Sequence, residues 1–585
     1  MVLSAKPPDP PNAIIAALFD ELADLYELDG AVVHRVLAYR NAAKSVREAP
    51  QSVAALTREG KVTSLPGIGR TLEEKIQALM DTGTIPAAEK LRAKFPVGLV
   101  DMTRLPGLGP KRARKLFDEL GIDSLEALEA AAQGHQLRGV KGFGPKFEET
   151  VLAAFAAGVA DKPAPRVVLS KALEVGDAIV AALRAHHASD RVELAGSARR
   201  MVDSVKDLDI VATASDPPAL LAALGEIGLV EEASGTENNT ARARTHTGIA
   251  LDLRVVEPDQ FGNVMQHLTG SKNHNMALRE AMVRRGLHVS EYGVLDDATG
   301  ETHRCATEEE VYALLGLPWI PPELREDRGE LRFKSAGDVP VLIEQADLRG
   351  DLHMHTVLSD GRNTTEEMAL AARDMGLSYI AITDHSASHG FGNHVDPDEL
   401  RRQIERIREL DARLDGITVL IGTETNIGTD GRPDYDDDLL AELDWAIGSV
   451  HTSFGIGAEA MTDRIVAAIE HPLVDAIGHP TGRKIERRAP YAVDMDRIIE
   501  AAARTGTMIE INSAPDRRDL DDVNARAAAR AGVRIIVNSD AHGANTLPNT
   551  RWGVATARRA WLTASDVANT LPWEEFAPLR KRARR

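Results

Sequence analysis

The sequence predicts a multidomain α/β protein, with a helical front, a mixed α+β middle and a back half of parallel strands and helices arranged as an α/β barrel. Three observations predict it. A Gly-x-Gly turn that leads into a helix occurs three times before residue 160. Near residue 200, two strand-like runs flank a Gly-Ser pair and an Asp-Leu-Asp triplet. From residue 350, Ile/Val-rich runs spaced about 25 to 35 residues apart alternate with helical patterns and end on side chains able to hold a metal.

Length and composition set the bounds. At 585 residues the chain exceeds one hydrophobic core and suggests about three or four domains. No apolar run reaches membrane-spanning length, and Met1 to Pro11 lacks the apolar core of a secretory signal, so no membrane partner is expected. Cys305 is the only cysteine, which excludes an intramolecular disulfide and a Cys-rich zinc site and agrees with a reducing cytoplasm. A formal net charge of −20 argues against nucleic-acid binding until its distribution is considered. Acids and bases balance through residue 160, with a basic cluster at Lys111, Arg112, Arg114 and Lys115, while the acidic excess lies beyond it, half of it after residue 350. Such asymmetry suggests that an anionic polymer is gripped by the front, and that carboxylates at the back serve metals or solubility.

The front reads as helices, with an apolar 3-4 pattern through Ile14, Leu18, Leu22 and Leu25, then Val32, Val36, Tyr39 and Ala43. Residues 64–76 form a hairpin with Gly67 and Gly69 at its turn, opening a helix at about Arg70. Residues 104–116, with Gly107 and Gly109, and residues 139–151, with Gly142 and Gly144, repeat the pattern. Glycines at such a turn let backbone N–H groups point outward, and the following helix start favours an anion, so a DNA phosphate binds without base contact. The third copy is looser and also reads as purely structural. The repeated turn resembles the helix-hairpin-helix motif.

In the middle, an apolar run ends at Gly196-Ser197, and a second run carries Asp207 and Asp209 on either side of Leu208. Strand side chains alternate faces, so both carboxylates share one face. Adjacent carboxylates repel unless a cation sits between them, and Mg²⁺ takes carboxylates together with substrate phosphates. Gly196 permits close backbone approach, Ser197 offers a donor, and Arg199 and Arg200 add charge-assisted contacts. Asp252, in the strand-like run 249–256, is the candidate third acid. The bland alternative for Asp-Leu-Asp is an exposed strand edge.

These residues resemble the nucleotidyltransferase superfamily, and residues 263–279, with Thr269-Gly270-Ser271 at their centre, resemble the thumb motif of the family X DNA polymerases. The resemblance implies that Asp207, Asp209 and Asp252 are catalytic with Mg²⁺ or Mn²⁺, that Ser197 and Arg200 hold a dNTP triphosphate, that Gly270 and Asn275 line the nucleotide pocket, and that Arg279 lies against the template. Where many members carry an aromatic pair before Thr-Gly-Ser, this chain has His267-Leu268, a departure that bears on sugar discrimination. In the same family the first helical unit binds the 5′-phosphate of a gap. Lys75 stands where some members carry a lyase lysine, with His34, Arg35, Tyr39 and Arg40 as the accompanying pocket, and its bland reading is a solvated helix lysine.

Residues 160–166 read as a Pro-containing connector, Pro318 to Glu330 as a charged, Pro-rich interdomain linker, and the segment to Leu348 as mostly irregular. Beyond it, strand-like runs end at Asp351-Leu352-His353-Met354-His355, at His385, Glu424, His451, His479 and Asn512, and at Asp540 and His542. Buried parallel strands alternating with helices give an α/β barrel whose C-terminal strand ends surround one site. Histidines and carboxylates without thiolates suit Zn²⁺, Mn²⁺ or Fe²⁺. The region resembles a PHP (polymerase and histidinol phosphatase) domain, a distorted (β/α)7 barrel. That resemblance implies up to three divalent ions on His353, His355, Asp360, His385, Glu424, His451, His479, Asp540 and His542, with Glu424 bridging. It further implies hydrolysis from a DNA 3′ end and leaves abasic-site incision open. The basic tail, Arg580 to Arg585, reads as a DNA contact or as disordered.

The expected division is a small 5′-phosphate-binding domain to residue 85, a fingers-like unit at 86–160, a palm at 161–260, a thumb at 261–325, a linker at 326–348, the PHP domain at 349–572 and the tail at 573–585. The expected protein is a monomeric gap-filling polymerase that takes gapped or primer-template DNA and dNTPs and trims 3′ ends. Two rivals remain open at this point: a phosphatase of the histidinol-phosphate type with a DNA-tethering front, and a DNA-binding scaffold with an inert palm.

Overall fold

A computed structural model describes residues 9–103, 105, 107–156, 166–236, 239–390 and 392–584. The expected connector at 160–166 lies outside the described residues except for Arg166. The chain divides into two compact units, one of residues 1–165, 175–192 and 212–255, the other of residues 166–174, 193–211 and 256–585.

In the first unit, helices Asn12–Leu28 and Val33–Glu48 pack through Ile15, Phe19, Leu22 and Leu25 against Val36, Tyr39, Ala43 and Val46. The apolar face therefore differs in part from the expected stripe: Ile14 and Val32 are exposed, and Ile15 and Phe19 carry the core. Each of the three hairpins turns on a left-handed glycine, Gly67 at φ +76°, Gly107 at +75° and Gly142 at +97°, a region that a side chain disfavours. Helices Arg70–Thr82, Pro110–Leu120 and Pro145–Ala156 follow, and a methyl placed on Gly69, Gly109 or Gly144 would meet open space.

The basic cluster departs from the expected reading. Arg112 donates to Gly107 O (2.5 Å) and Gly142 O (3.0 Å) and lies over the Phe143 and Phe147 rings, joining the second hairpin to the third. Arg114 pairs with Asp118 at 2.8 Å, and Lys115 donates to Lys141 O at 2.6 Å. Carbonyls left over at tight turns need donors, and these cations supply them.

Within the first unit, Ala250–Val255 pairs antiparallel with Thr240–Thr245, which pairs antiparallel with Val230–Thr236. In the second unit, helices Phe261–Thr269 and Lys272–Val283 precede an antiparallel sheet of Leu287–Ser290, Gly293–Asp296 and Glu301–His303. The stretch read as a linker is irregular but packed. Its Glu330 is buried and lies 2.7 Å from His274 Nδ1, whose Nε2 is 3.2 Å from the Tyr312 hydroxyl.

The back half is a seven-stranded parallel sheet in sequence order: Gly350–Asp351, Tyr379–Ile382, Thr418–Asn426, Trp445–Ser449, Ala476–Ile477, Met508–Asn512 and Ile535–Asn538. These strands are apolar because helices cover their outer faces while the opposite faces meet inside the barrel. Side chains bridge the seam between last and first strands. Leu352 N donates to Asn538 Oδ1 at 3.0 Å, and Asn569 Nδ2 donates to Gly350 O and Val537 O at 2.7 Å each. Among the described residues, no helix is long and apolar enough to cross a membrane.

The basic tail is folded. Lys581 Nζ donates to Ile469 O (2.6 Å) and His471 O (2.7 Å), and Arg582 pairs with the fully buried Asp475 at 2.8 Å while donating to Leu440 O and Leu473 O. The tail is thus a latch on the barrel, because loop carbonyls and a buried acid there require donors. Arg582→Ala leaves Asp475 without that partner and is expected to cost about 3 kcal/mol, read as a lowered urea midpoint for the barrel.

Candidate functional site

All nine donors expected in the barrel come together. Their ligand atoms form four overlapping groups, each within 4.8 Å: His355, Asp360, His385 and His542; His353, His355 and Asp540; His353, Glu424 and His479; and His385, Glu424 and His451. The parallel strands deliver these side chains from their C-terminal ends, as the barrel topology requires. Glu424 is central, with Oε1 at 2.9 Å from His479 Nε2, 3.2 Å from His451 Nε2 and 3.3 Å from His353 Nε2, and Oε2 at 2.8 Å from His385 Nδ1.

Electrostatics divide the ring. Burial pulls the His355 and His479 imidazoles down to about 4, helped at His355 by His385 and His542 and at His479 by Arg517. Burial opposes charge at Glu424 and Asp540, yet the imidazoles around them outweigh it and hold both carboxyls well below the usual range. At His542 burial is likewise overcome, and Asp360 and Asp540 push the ring up to about 9. His355 Nδ1 and Asp360 Oδ1 are buried 3.9 Å apart, each without a hydrogen-bond partner. Orphan nitrogen and oxygen donors facing each other at that spacing are costly unless a cation lies among them, so the donor set fits divalent metal.

A supporting layer escaped the sequence reading. Asn512 is not a tenth donor to the ring: its Nδ2 donates to Asp540 Oδ2 at 3.0 Å. Glu510, two residues earlier on the same strand and fully buried, lies 2.8 Å from His353 Nδ1 and accepts from His479 N at 2.8 Å and Asn538 Nδ2 at 3.0 Å. Asp384 accepts from Thr356 N and Oγ1 (2.7 Å each), Ser359 Oγ (2.6 Å) and Gln403 Nε2 (2.8 Å), fixing the turn after His355. The available signal was an acid inside a continuous apolar strand, which burial makes expensive unless it is fully bonded.

In the palm, Asp207 and Asp209 are half-buried on one face of their strand, with Leu208 buried on the other. Gly196 is required by Asp209 itself: a methyl there would stand 2.1 Å from Asp209 Oδ2, and its φ is +67°. Asp252 is half-buried and lies 3.5 Å from Arg242. Ser197 is half-buried in the short helix Gly196–Arg199. Arg200, expected at a triphosphate, places Nε 3.0 Å from Glu326 and donates from NH1 to Thr269 O at 3.0 Å.

In the thumb, a methyl on Gly270 would meet Asn275 Oδ1 at 2.4 Å, and Asn275 Nδ2 donates to His267 O at 2.7 Å, so the two residues interlock. Arg279 lies 3.1 Å from His267 Nδ1. In the front, Lys75 is half-buried on its helix beside Glu74. Of its expected companions, Tyr39 is core and Arg40 pairs with Asp24 at 2.5 Å.

Over 570 residues the chain is 36% identical to the DNA polymerase/3′-5′ exonuclease PolX of Bacillus subtilis, covering 97% of this chain and 99% of that protein. The chain belongs to the family X DNA polymerases. Its parts match the helix-hairpin-helix domain at residues 10–85, the SAM-like helix-hairpin-helix tandem at 99–157, the DNA polymerase beta thumb at 264–326 and the PHP domain at 351–514. The chain is also similar to a probable phosphatase of Caldanaerobacter subterraneus, 34% identical over 33% of this chain and 75% of that one. A probable phosphatase of a Thermoanaerobacter species is 30% identical over 38% of this chain and 89% of its own length.

Within this family X chain, Glu510 orients two of the nine donors. Glu510→Gln is expected to weaken metal retention about 10- to 100-fold, measured as metal content of the purified protein after titration with a chelator.

Proposed function

We propose that the protein fills short gaps during DNA repair by template-directed nucleotidyl transfer from dNTPs, and hydrolyses DNA from 3′ ends in its barrel, with abasic-site incision as an additional reaction of the same centre. The observation that carries the reading is the nine-donor ring on a chain similar to a polymerase/exonuclease along 97% of its length. The likeness to these probable phosphatases covers 33% and 38% of the chain, against 97% for the polymerase/exonuclease.

Asp207, Asp209 and Asp252 are assigned to the polymerase reaction with Mg²⁺ or Mn²⁺, and the nine barrel donors to as many as three ions of Zn²⁺, Mn²⁺ or Fe²⁺. Bound divalent ions supply charge neutralisation for the phosphates at both sites and acidify a water at the barrel. The protein's own part is positioning. Gly196 leaves the space that the Asp209 carboxylate occupies, and Glu510 accepts from His353 Nδ1 so that Nε2 faces Glu424 and Asp540. Ser197 and Arg200 are assigned to the triphosphate, Gly270 and Asn275 to the nucleotide pocket, and Arg279 to the template.

The hairpin glycines Gly67, Gly69, Gly107, Gly109, Gly142 and Gly144 are assigned to DNA phosphates. Support comes from the open space beside Gly69, Gly109 and Gly144, where backbone can meet an anion closely. Lys75 is the position for lyase chemistry at a 5′ sugar phosphate, and the protein acts as a monomer in the cytoplasm.

A labelled primer on a one-nucleotide gap with a 5′-phosphate downstream tests the reading with Mn²⁺, with and without dNTPs. Asp252→Asn is expected to abolish extension and leave shortening within about twofold, and His353→Ala to do the reverse, because the acids that activate each reaction are distinct. Loss of both reactions in either variant would show that one centre serves both.

A further inference from the structure

The palm loop between the Gly-Ser turn and the Asp-Leu-Asp strand is held by the barrel half of the chain. Five consecutive residues are involved. Arg559 donates from NH1 to Arg200 O (2.8 Å), and Arg518 donates from NH2 to Met201 O and from NH1 to Val202 O (2.9 Å each). Arg483 donates to Asp203 Oδ2 at 2.7 Å, and Ser204 Oγ donates to Glu486 Oε1 at 2.6 Å.

The cations are themselves fixed. Arg518 is buried, and its remaining Nε donates to Thr556 Oγ1 at 2.9 Å. Arg559 also binds Glu326 (2.9 Å) and Asp522 (2.9 Å), and Glu326 in turn holds Arg200 Nε at 3.0 Å. Met201 sits at φ +56°, a conformation that a side-chain-bearing residue keeps only when its surroundings hold it. Planar guanidinium forks in fixed positions are suited to that task.

We infer that Arg518, with Arg483 and Arg559, is a positioning residue for nucleotidyl transfer: the barrel sets the backbone of the loop that presents Ser197 and Arg200 to the incoming dNTP. The inference rests on the polymerase reading above. It goes beyond it in making the hydrolytic domain a structural part of the nucleotide site. A loop released by about 1 Å is sufficient to lower a positioned reaction by about 100-fold.

The test is steady-state extension of gapped DNA by the full-length protein with Mn²⁺, with the dNTP as the varied substrate, beside 3′ hydrolysis of single-stranded DNA without dNTPs. Arg518→Met is expected to raise KM for dNTP about 10-fold or more, with a smaller fall in kcat, while hydrolysis stays within about twofold. Arg518→Lys, which keeps the charge and one donor, is expected to recover part of the KM. Asp203→Asn, made from the palm side so that the barrel is untouched, is expected to raise KM in the same direction.

Wild-type KM in both Arg518→Met and Asp203→Asn would overturn the inference, as would a parallel fall of extension and hydrolysis in Asp203→Asn. Asp209→Asn runs alongside. If it leaves extension intact, the polymerase assignment has failed. If it abolishes extension while the loop variants keep wild-type KM, only the positioning role has failed.

Discussion

Glu424 sets the problem that the barrel is built to solve. A carboxylate that is 1% exposed loses its hydration, and its ionised form persists only because imidazoles from several strands converge on it. Convergence of that kind needs parallel strands whose C-terminal ends meet, and such strands are stable only when helices bury their outer faces. The apolar strand runs, the covering helices and the seam bridged by Asn538 and Asn569 follow from the same requirement. So does the ring behind the donors, where Glu510 and Asp384 are buried carboxylates saturated with hydrogen bonds.

Arginine does a second, distributed task in this chain. Loop carbonyls that no strand or helix satisfies are met by guanidinium groups: Arg112 at two hairpins, Arg464 on Ile427 and Thr452, Arg518 on Met201 and Val202, and Arg582 on Leu440 and Leu473. Donors used this way are engaged within the fold. That bears on how a chain of net charge −20 approaches DNA. Of the clustered cations at the front, Arg112, Arg114 and Lys115 are engaged internally.

Legibility in the sequence followed locality. The hairpins were readable because a left-handed glycine, an extended residue and a helix start are consecutive in the chain, and the barrel because its period repeats. The donor ring was readable because eight of its ligands lie at or beside the end of an apolar run, and the PHP resemblance supplied the ninth, Asp360. Glu510 was not, since its partners His353 and Asn538 are distant in sequence, and the acid in its apolar strand does not by itself say what it binds. The packing of the tail and of the 318–348 stretch was not readable for the same reason. Charge and proline suggest solvent, whereas Arg582 and Glu330 are paired with Asp475 and His274 across long separations. In the palm, the packing of Asp209 against Gly196 was not readable, because only the fold brings the two together.

Protonation in the ring shows how such a centre stays folded and still takes up a cation. His355 and His479, pulled down to about 4, present neutral nitrogens at neutral pH, the form that ligation requires. His542, pushed up to about 9 by Asp360 and Asp540, carries a proton there instead and supplies positive charge among the carboxylates. A divalent ion that takes the His542 nitrogen must displace that proton, so uptake strengthens as pH rises toward 9 and weakens below it. Against burial, the His542 ring lowers Asp360, and His353, with His355 and His542, lowers Asp540. The cluster therefore exchanges one compensating charge for another, and its buried carboxylates are never left without a cation.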